Sequence, residues 1–424
     1  MEDLLFPSAE VGLRYATTAG LKTRAAETDC ICVYTGCLQN CPYGTLVLVT
    51  LKTRGMTSET RLEKRLRAVV SQSGPLPFHE FMEIALYDPL DGYYTRQAHP
   101  YQDYFTSVTV HPSLFGKMLA AHLQDMWLAL SKPRPFRVVE LGSSDGRLAK
   151  QIRAASSKYE WGPLLEYTGV ERGSTARESG PLDTLHQTID EIPPAESRAV
   201  LSNEFFDALP VRRARRVTNG WIEECVSYEG PTAHFVDQPP PNEILIYADQ
   251  YGNDVPVDGH LEIRQNIDWV YAEISRIGER IVMTTIDYGG PSEMVHGQRL
   301  AAGTMLSYQG HHASDDVLTN PGQSDLTSHV NFTQLVDSGH NHGLDQQRMT
   351  MQADFLSALG IGDHLVNIQT QSELTVAEYA AERAAVYQLV SPSDLGRFQV
   401  LTQGKNVDLD TIRGLEHAPG QEGT

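Results

Sequence analysis

The stretch RVVELGSSDG, residues 137–146, constrains the fold more than any other part of the chain. An apolar run ends in an acid, Glu140. A turn bounded by Gly142 and Gly146 follows, and GRLAKQIRAA then shows helical apolar spacing. A short strand that is apolar without alternation is one buried on both faces. A strand that turns straight into a helix opens a β-α-β unit. The pattern repeats down the chain. LEYTGVE and RAVLSN read as further strands, RIVMTTIDYGG as a central strand ending in Asp287, and RFQVLTQG as a late one. This alternation predicts an α/β fold with a doubly wound, Rossmann-like sheet.

The flanking segments are of other kinds. Residues 56–130 predict an N-terminal helical region. Leu62, Leu66, Val69 and Val70 share one helical stripe, Phe78, Phe81, Met82 and Leu86 another, and an apolar helix follows over about residues 113–130. The main domain is expected over 131–415, with inserts near 229–265 and 298–330. RRARRVTNGWIEECVSYEG predicts a hairpin turning at Asn219-Gly220, and residues 261–279 read as helical. Arg212, Arg213, Arg215 and Arg216 are expected to line a solvated strand face with scattered ion pairs. Residues 1–55 lack periodicity and are expected to be a poorly structured or non-native extension, with Met56 as the native start.

Composition excludes some function classes. The 424 residues carry a formal net charge of -20, which argues against nucleic-acid binding and suits a cationic ligand or a basic peptide. No apolar run approaches the roughly 20 residues of a membrane span. Four of the five cysteines crowd as C-x-C-x4-C-x3-C at Cys30, Cys32, Cys37 and Cys41, a spacing that is not a paired zinc knuckle. His311, His312, His329, His340 and His342 read as loop residues, so no metal is expected. Glu2 and Asp3 replace the basic start of a signal peptide, so the expected location is cytoplasmic.

The glycine turn admits two ligands. A dinucleotide site needs G-x-G-x-x-G, in which the backbone approaches a pyrophosphate. Here the string is E-L-G-S-S-D-G, with the middle glycine absent and an acid before the turn. S-adenosylmethionine carries an ammonium and a sulfonium and no phosphate, so Glu140 would attract it. Gly142 and Gly146 let the backbone approach, and Ser143 and Ser144 can donate hydrogen bonds. Glu171 ends the next strand, where a carboxylate accepts both ribose hydroxyls; NAD would want the same acid. Asp190 is placed to meet adenine or to sit in a solvated loop.

VLSNEFFDALPVRR, residues 200–213, is the most informative string. Asn203 ends a strand. Glu204 and Asp207 are three apart, so one helical turn would put both carboxylates on one face, beside an apolar wall of Phe205 and Phe206. Paired acids can orient a planar guanidinium and accept its proton during methyl transfer. Two acids at a helix start are equally consistent with simple capping.

Taken together, YDPLDGYY, DYFTSVTVHPSLFG, ELGSSDG, SNEFFDALPV and GTMLSYQGHH…DVLTNPGQSDLTSHVNF resemble the MidA-like methyltransferases, bacterial and mitochondrial relatives of a complex I assembly factor. The resemblance runs from about Met56 to about residue 410. It implies a class I S-adenosylmethionine-dependent methyltransferase fold acting on a protein arginine, with a respiratory-complex subunit as partner and no bar to a homo-oligomer. By position it implies Glu140, Gly142 and Gly146 at the cofactor turn, Glu171 at the ribose, and Asp103, Thr106 and Ser107 near the cofactor. Asn203, Glu204 and Asp207 fall on the family's HEFFD-like string, with asparagine in place of histidine. Asp325, Thr327 and His311 match its late motifs. GSSDG stands where the family has GPGRG, and TSVTVHPS where it often has TSPEIS. Two rivals follow: a small-molecule O- or N-methyltransferase, and an assembly or interaction protein with a decayed cofactor site.

Overall fold

The computed structural model describes residues 59–96, 106–173, 180–370 and 374–417. The chain divides into Met1–Thr60 and Arg61–Thr424. The expectation for residues 1–55 lies outside the described residues, as does Asp103.

An eight-stranded sheet organises the second unit. From one edge its order is Thr184–His186, Leu165–Val170, Phe136–Leu141, Ala195–Asn203, Gly278–Asp287, Gln399–Lys405, Gln346–Met351 and Glu416–His417. Neighbours from Thr184–His186 through Gly278–Asp287 pair in parallel. The remaining three strands join antiparallel. The chain runs outward from Phe136–Leu141 in one direction, then crosses to its other side with Ala195–Asn203. At such a reversal a crevice opens beyond the carboxyl ends of the strands. Glu140, Glu171, Asn203 and Asp287 all lie at those ends.

Phe136–Leu141 is buried along almost its whole length, as its unbroken apolar run requires. One face of the sheet packs Leu114–Ala129 and Arg147–Ser156 over Val138, Leu201 and Val400. These helices approach closely at Gly116, where a Cβ would fall 2.2 Å from that of Gln151. Gln151 seals the gap, accepting from Gly116 N and donating to Val108 O. The other face packs Ile267–Arg276 and Phe332–Asn341 over Val139, Val200 and Met283.

A second, five-stranded antiparallel sheet follows the crevice. It comprises Leu76–Pro77, Val211–Val217, Gly220–Glu229, Thr232–Gln238 and His260–Arg264. Arg61–Ser73 and Phe78–Tyr87 pack on it through Leu66, Phe81 and Val226. The helices of residues 61–129 are thus shared between two cores, the first two on the small sheet and the third on the large one.

Three local expectations are corrected. Val217 pairs with Gly220, so the hairpin turns at Thr218-Asn219, one residue earlier than read, and Gly220 sits at φ +133°. Residues 261–279 are not one helix: His260–Arg264 is a strand and Ile267–Arg276 the helix, because Leu261 and Ile263 alternate into the core of the small sheet. The arginines are not a solvated face. Arg212 pairs with Glu223 and Arg213 with Glu224, with side chains only 16% and 13% exposed. Strand Gln346–Met351 was unforeseen. QQRMTM has no apolar run, and pairing with Gln399–Lys405 makes it a strand. The insert near 298–330 carries a small three-stranded sheet, Leu306–Gln309, His312–Ser314 and Asp325–Thr327.

Candidate active site

The crevice is one cavity, and one half of it grows from strand Phe136–Leu141. Leu141 leads into a turn in which Gly142, Ser144 and Gly146 all have positive φ, at 69°, 46° and 74°. The turn is pinned by Gly142 N and Ser143 N donating to Val170 O and by Gly146 N donating to Ser143 O. Gly142 is required for a second reason: a Cβ there would lie 3.1 Å from Phe205 Cδ2, which closes the cavity from the facing turn. Gly146 then starts Arg147–Ser156 without a side-chain cap.

Glu140 lines the cavity and is almost fully buried. Its Oε2 accepts from Tyr167 Oη at 2.9 Å. Burial pushes its carboxyl up to about 8 against the opposing hydrogen bond from Tyr167, and Asp145 and Glu171 add smaller repulsions. Such a group regains its charge when a cation comes to rest beside it. Glu171 is held by backbone donors, Ser144 N to Oε2 at 2.9 Å and Gly173 N to Oε1 at 2.6 Å. Burial raises its pKa despite them. The far end is walled by Gln187, Thr188, Ile189, Asn266, Trp269 and Val270.

The other half is built on the turn after Ala195–Asn203. No helix forms there. Residues 204–210 are a tight irregular turn with Glu204 at φ +50°. The expected helical pairing of Glu204 with Asp207 is therefore corrected, and the turn itself brings both into the cavity wall. Its reason is tertiary. Glu204 N donates to Ile286 O, while Phe206 N and Asp207 N both donate to Asp287 Oδ2. Arg264 clamps the outer side, donating to Phe206 O, Asp207 O, Ser328 O and His329 O. A helix would have used those amides and carbonyls internally.

Glu204 Oε1 accepts from Ser107 N and from Asn203 Nδ2, both at 3.0 Å. Burial, with Asp207 and Asp325 adding to it, pushes its carboxyl up to about 8. Asp207 is also raised, chiefly by burial, with Arg264 and Tyr288 opposing. Asp287 lies deeper and is raised well above the carboxylate range by burial and by Asp207. Asn203 Oδ1 and Asp207 Oδ1 are buried acceptors without a hydrogen-bond partner, and both residues line the cavity. Buried acceptors of this kind call for a ligand with several N–H groups.

Of the residues read from sequence, Glu140, Gly142, Ser143, Ser144, Glu171, Thr106, Asn203, Glu204 and Asp207 line this cavity. Gly146 shapes the turn, and Ser107 reaches the site through its N–H on Glu204. One assignment is corrected. Asp190 is exposed in the short Ile189–Glu191 turn and is not a wall residue; its neighbour Ile189 is. Ser143 Oγ is buried without a hydrogen-bond partner. It lies against Gly169, where a Cβ would come within 2.5 Å. Thr327 and Asp325 sit on the insert sheet, and His311 is exposed at its hairpin turn, away from the wall. Asp287, Arg264, Tyr94 and Trp269 were missed. Asp287 had a signal, an acid ending an apolar strand like Glu140. Arg264 had none, because its partners lie in distant segments.

A family model described as an S-adenosyl-L-methionine-dependent methyltransferase matches residues 118–350. The chain belongs to that methyltransferase family. A protein arginine methyltransferase of the NDUFAF7 type, mitochondrial, from Danio rerio is 26% identical over 379 residues, covering 79% of this chain and 85% of its own. The Drosophila melanogaster homolog is 27% identical over 311 residues, covering 64% and 68%. A Burkholderia thailandensis crystal structure with bound S-adenosyl-homocysteine aligns with TM-score 0.71 at 26% identity, over 83% of this chain and 95% of its own. These findings overturn the cytoplasmic placement: the curated relatives are named as mitochondrial. Among the described residues no helix is long and apolar enough to cross a membrane.

The methyltransferase cofactor fits the residues present. Its ammonium suits Glu140, whose buried carboxyl gains by meeting a cation, and a ribose diol suits Glu171, whose two oxygens are already aimed by backbone N–H groups. A pyrophosphate would face Glu140, Asp145 and Glu171 at once, which disfavours the dinucleotide alternative.

Proposed function

We propose that this methyltransferase acts on the guanidinium of an arginine in a protein. The observation that carries the reading is the pair of unpartnered acceptors, Asn203 Oδ1 and Asp207 Oδ1, beside the buried carboxyl of Glu204. A guanidinium is a planar fork of N–H donors and answers that need better than a hydroxyl or a single amine. The relatives' names, protein arginine methyltransferase, support it.

In this reading residues 131–415 carry the methyl-transfer domain and residues 56–130 an N-terminal region. Glu140 and Glu171 hold the cofactor, with Gly142, Ser144, Gly146 and Thr106 shaping its cradle, and Ser107 steadies Glu204. When bound, the cofactor supplies an electrophilic methyl group. Asn203 and Asp207 accept hydrogen bonds from the guanidinium and fix its plane. Glu204 and Asp207 draw positive charge toward the nitrogens they touch, leaving the reacting nitrogen its lone pair. As the N–CH3 bond forms, a carboxylate takes the proton that nitrogen releases. Phe205 and Leu209 keep water from the reacting atoms. A subunit of a respiratory complex is the partner class the family resemblance suggests.

The test is transfer of labelled methyl groups to basic peptides in matched arginine and lysine versions. Label on the arginine version alone is expected. Label confined to small metabolites, or to residues other than arginine, would sink the assignment.

A further inference from the structure

Glu204 is held by a residue far from it in the chain, and that residue is held in turn from the C-terminal helices. Ser107 N donates to Glu204 Oε1 at 3.0 Å. The Ser107 hydroxyl donates to Gln352 Oε1 at 3.2 Å, and Gln352 Nε2 donates to Leu389 O at 3.0 Å. A carbonyl only accepts, so Leu389 O fixes which way the Gln352 amide faces. Ser107 and Gln352 are both fully buried. Gln352 opens helix Gln352–Ala358, where its own N–H donates to Phe398 O, and Leu389 lies on helix Val376–Val390. The segment around Ser107 is anchored again just beyond this tie. Val108 O and His111 O accept from Gln151 Nε2 at 2.9 and 3.3 Å. His111 Nε2 meets Glu382 Oε1 at 3.0 Å, once more on helix Val376–Val390.

We infer that Gln352 is a positioning residue of the methyl-transfer site: through the Ser107 hydroxyl it fixes the peptide plane whose N–H holds the Glu204 carboxylate. This rests on the reading of Glu204 as proton acceptor and deepens it. Gln352 is not a wall residue of the cavity, so it acts through Ser107 and not on the methyl acceptor. An N–H aimed at a carboxylate favours the ionised form, and the gain falls steeply as the angle opens. Burial raises the Glu204 carboxyl, and the Ser107 N–H is the largest influence against it. Asn203 Nδ2 helps, the charges of Asp207 and Asp325 oppose, and Asp287 lies within reach of the Glu204 charge. A loosened Ser107 would therefore leave Glu204 protonated at a pH where it must take a proton. Glu140, held by Tyr167, has no part in this chain of bonds.

The experiment titrates the ligand-free full chain, isotope-labelled at its glutamate carboxyls, by NMR. Glu204→Gln and Glu140→Gln identify the two signals expected to titrate near 8. Gln352→Met keeps the length of the side chain and removes the amide. It is expected to lower the acid dissociation constant of Glu204 by about 3–10-fold, the loss of one well-aimed hydrogen bond to a charge, while that of Glu140 stays within about twofold. Ser107→Ala should move Glu204 in the same direction. The double variant should move it no further than the larger single change, because both act along one chain of bonds. Calorimetry with S-adenosyl-homocysteine checks that each variant is folded. If Gln352→Met is not, Gln352→Asn, which draws the amide back by one methylene, carries the test with the same expected direction. An unmoved Glu204 signal in a folded Gln352 variant would overturn the inference. So would equal movement of Glu204 and Glu140, which would make Gln352 a residue of the fold alone, or additive shifts in the double variant. Full methyl transfer by Glu204→Gln would instead overturn the proton-acceptor reading itself.

Discussion

The two halves of the crevice are built in opposite ways. The cofactor half is local: Glu140, the glycine turn and the start of Arg147–Ser156 are one continuous stretch, completed by Glu171 on the adjacent strand. The half around Asn203, Glu204 and Asp207, where the proposed acceptor would lie, is assembled from far-apart segments. Ser107, Asn203 to Asp207, Arg264, Asp287 and Ser328 hold one another through bonds spanning tens of residues. A local site tolerates change elsewhere because its geometry follows from its own φ angles. A non-local site fails when any one of its supports fails.

The sharpest break of that comparison is at Glu204. Glu204→Gln should lower kcat by about 10²–10⁴-fold, the range for losing a positioned proton acceptor. Cofactor affinity by calorimetry should stay within about threefold. A matching loss of cofactor affinity would merge the two halves. Arg264→Ala should be the most damaging change to stability. It strips donors from Phe206 O, Asp207 O and the 328–329 carbonyls, and thermal melting should show a loss of about 3–5 kcal/mol. A loss below about 1 kcal/mol would mean the turn holds itself.

The local half predicts smaller effects confined to binding. Glu171→Ala should weaken cofactor binding by about 1–3 kcal/mol, because Ser144 N and the ribose both lose an acceptor. Unchanged affinity would remove Glu171 from the site. Gly142→Ala should cost about 1–2 kcal/mol through its positive φ and its approach to Phe205, with weaker cofactor binding as the readout.

Titration gives the finest test. Glu140 and Glu204 are raised from 4.5 to about 8 in the fold. The folded protein therefore holds protons that the unfolded chain has released. Their contribution to stability is full below about pH 4.5 and is lost as the pH rises through 8. Glu140→Gln should accordingly flatten the fall in ligand-free melting temperature between pH 6 and pH 8.5, by about 2–4 °C at the alkaline end, while weakening cofactor binding by about 10–100-fold. An unchanged slope would mean Glu140 is already ionised in the fold. Because both groups must be ionised to work, kcat/KM should rise with pH toward 8.

Much of the first half was legible because its chemistry is written in neighbouring residues. An apolar run, an acid and spaced glycines predict a strand, a buried carboxylate and a turn of positive φ. Glu171 followed from strand spacing. Asp190 was misplaced by one residue, since the exposed acid and the buried Ile189 share a turn and only packing says which faces the cavity. EFFD carried Glu204, Phe205 and Asp207 to the cavity wall, but not in the helical conformation its spacing suggests. The i, i+3 spacing fits a helix, but Asp287 and Arg264 offer its backbone better partners than a helix would.

The sequence alone determined the parallel sheet, the cofactor turn and the acids at the strand ends, because each depends on the hydropathy and φ preferences of a few adjacent residues. The tertiary structure decided the left-handed Glu204, the clamp on the 206–207 carbonyls, and the tie of Ser328 N to Asp207 O. Those depend on which distant donors and acceptors come together once burial leaves no water to satisfy them.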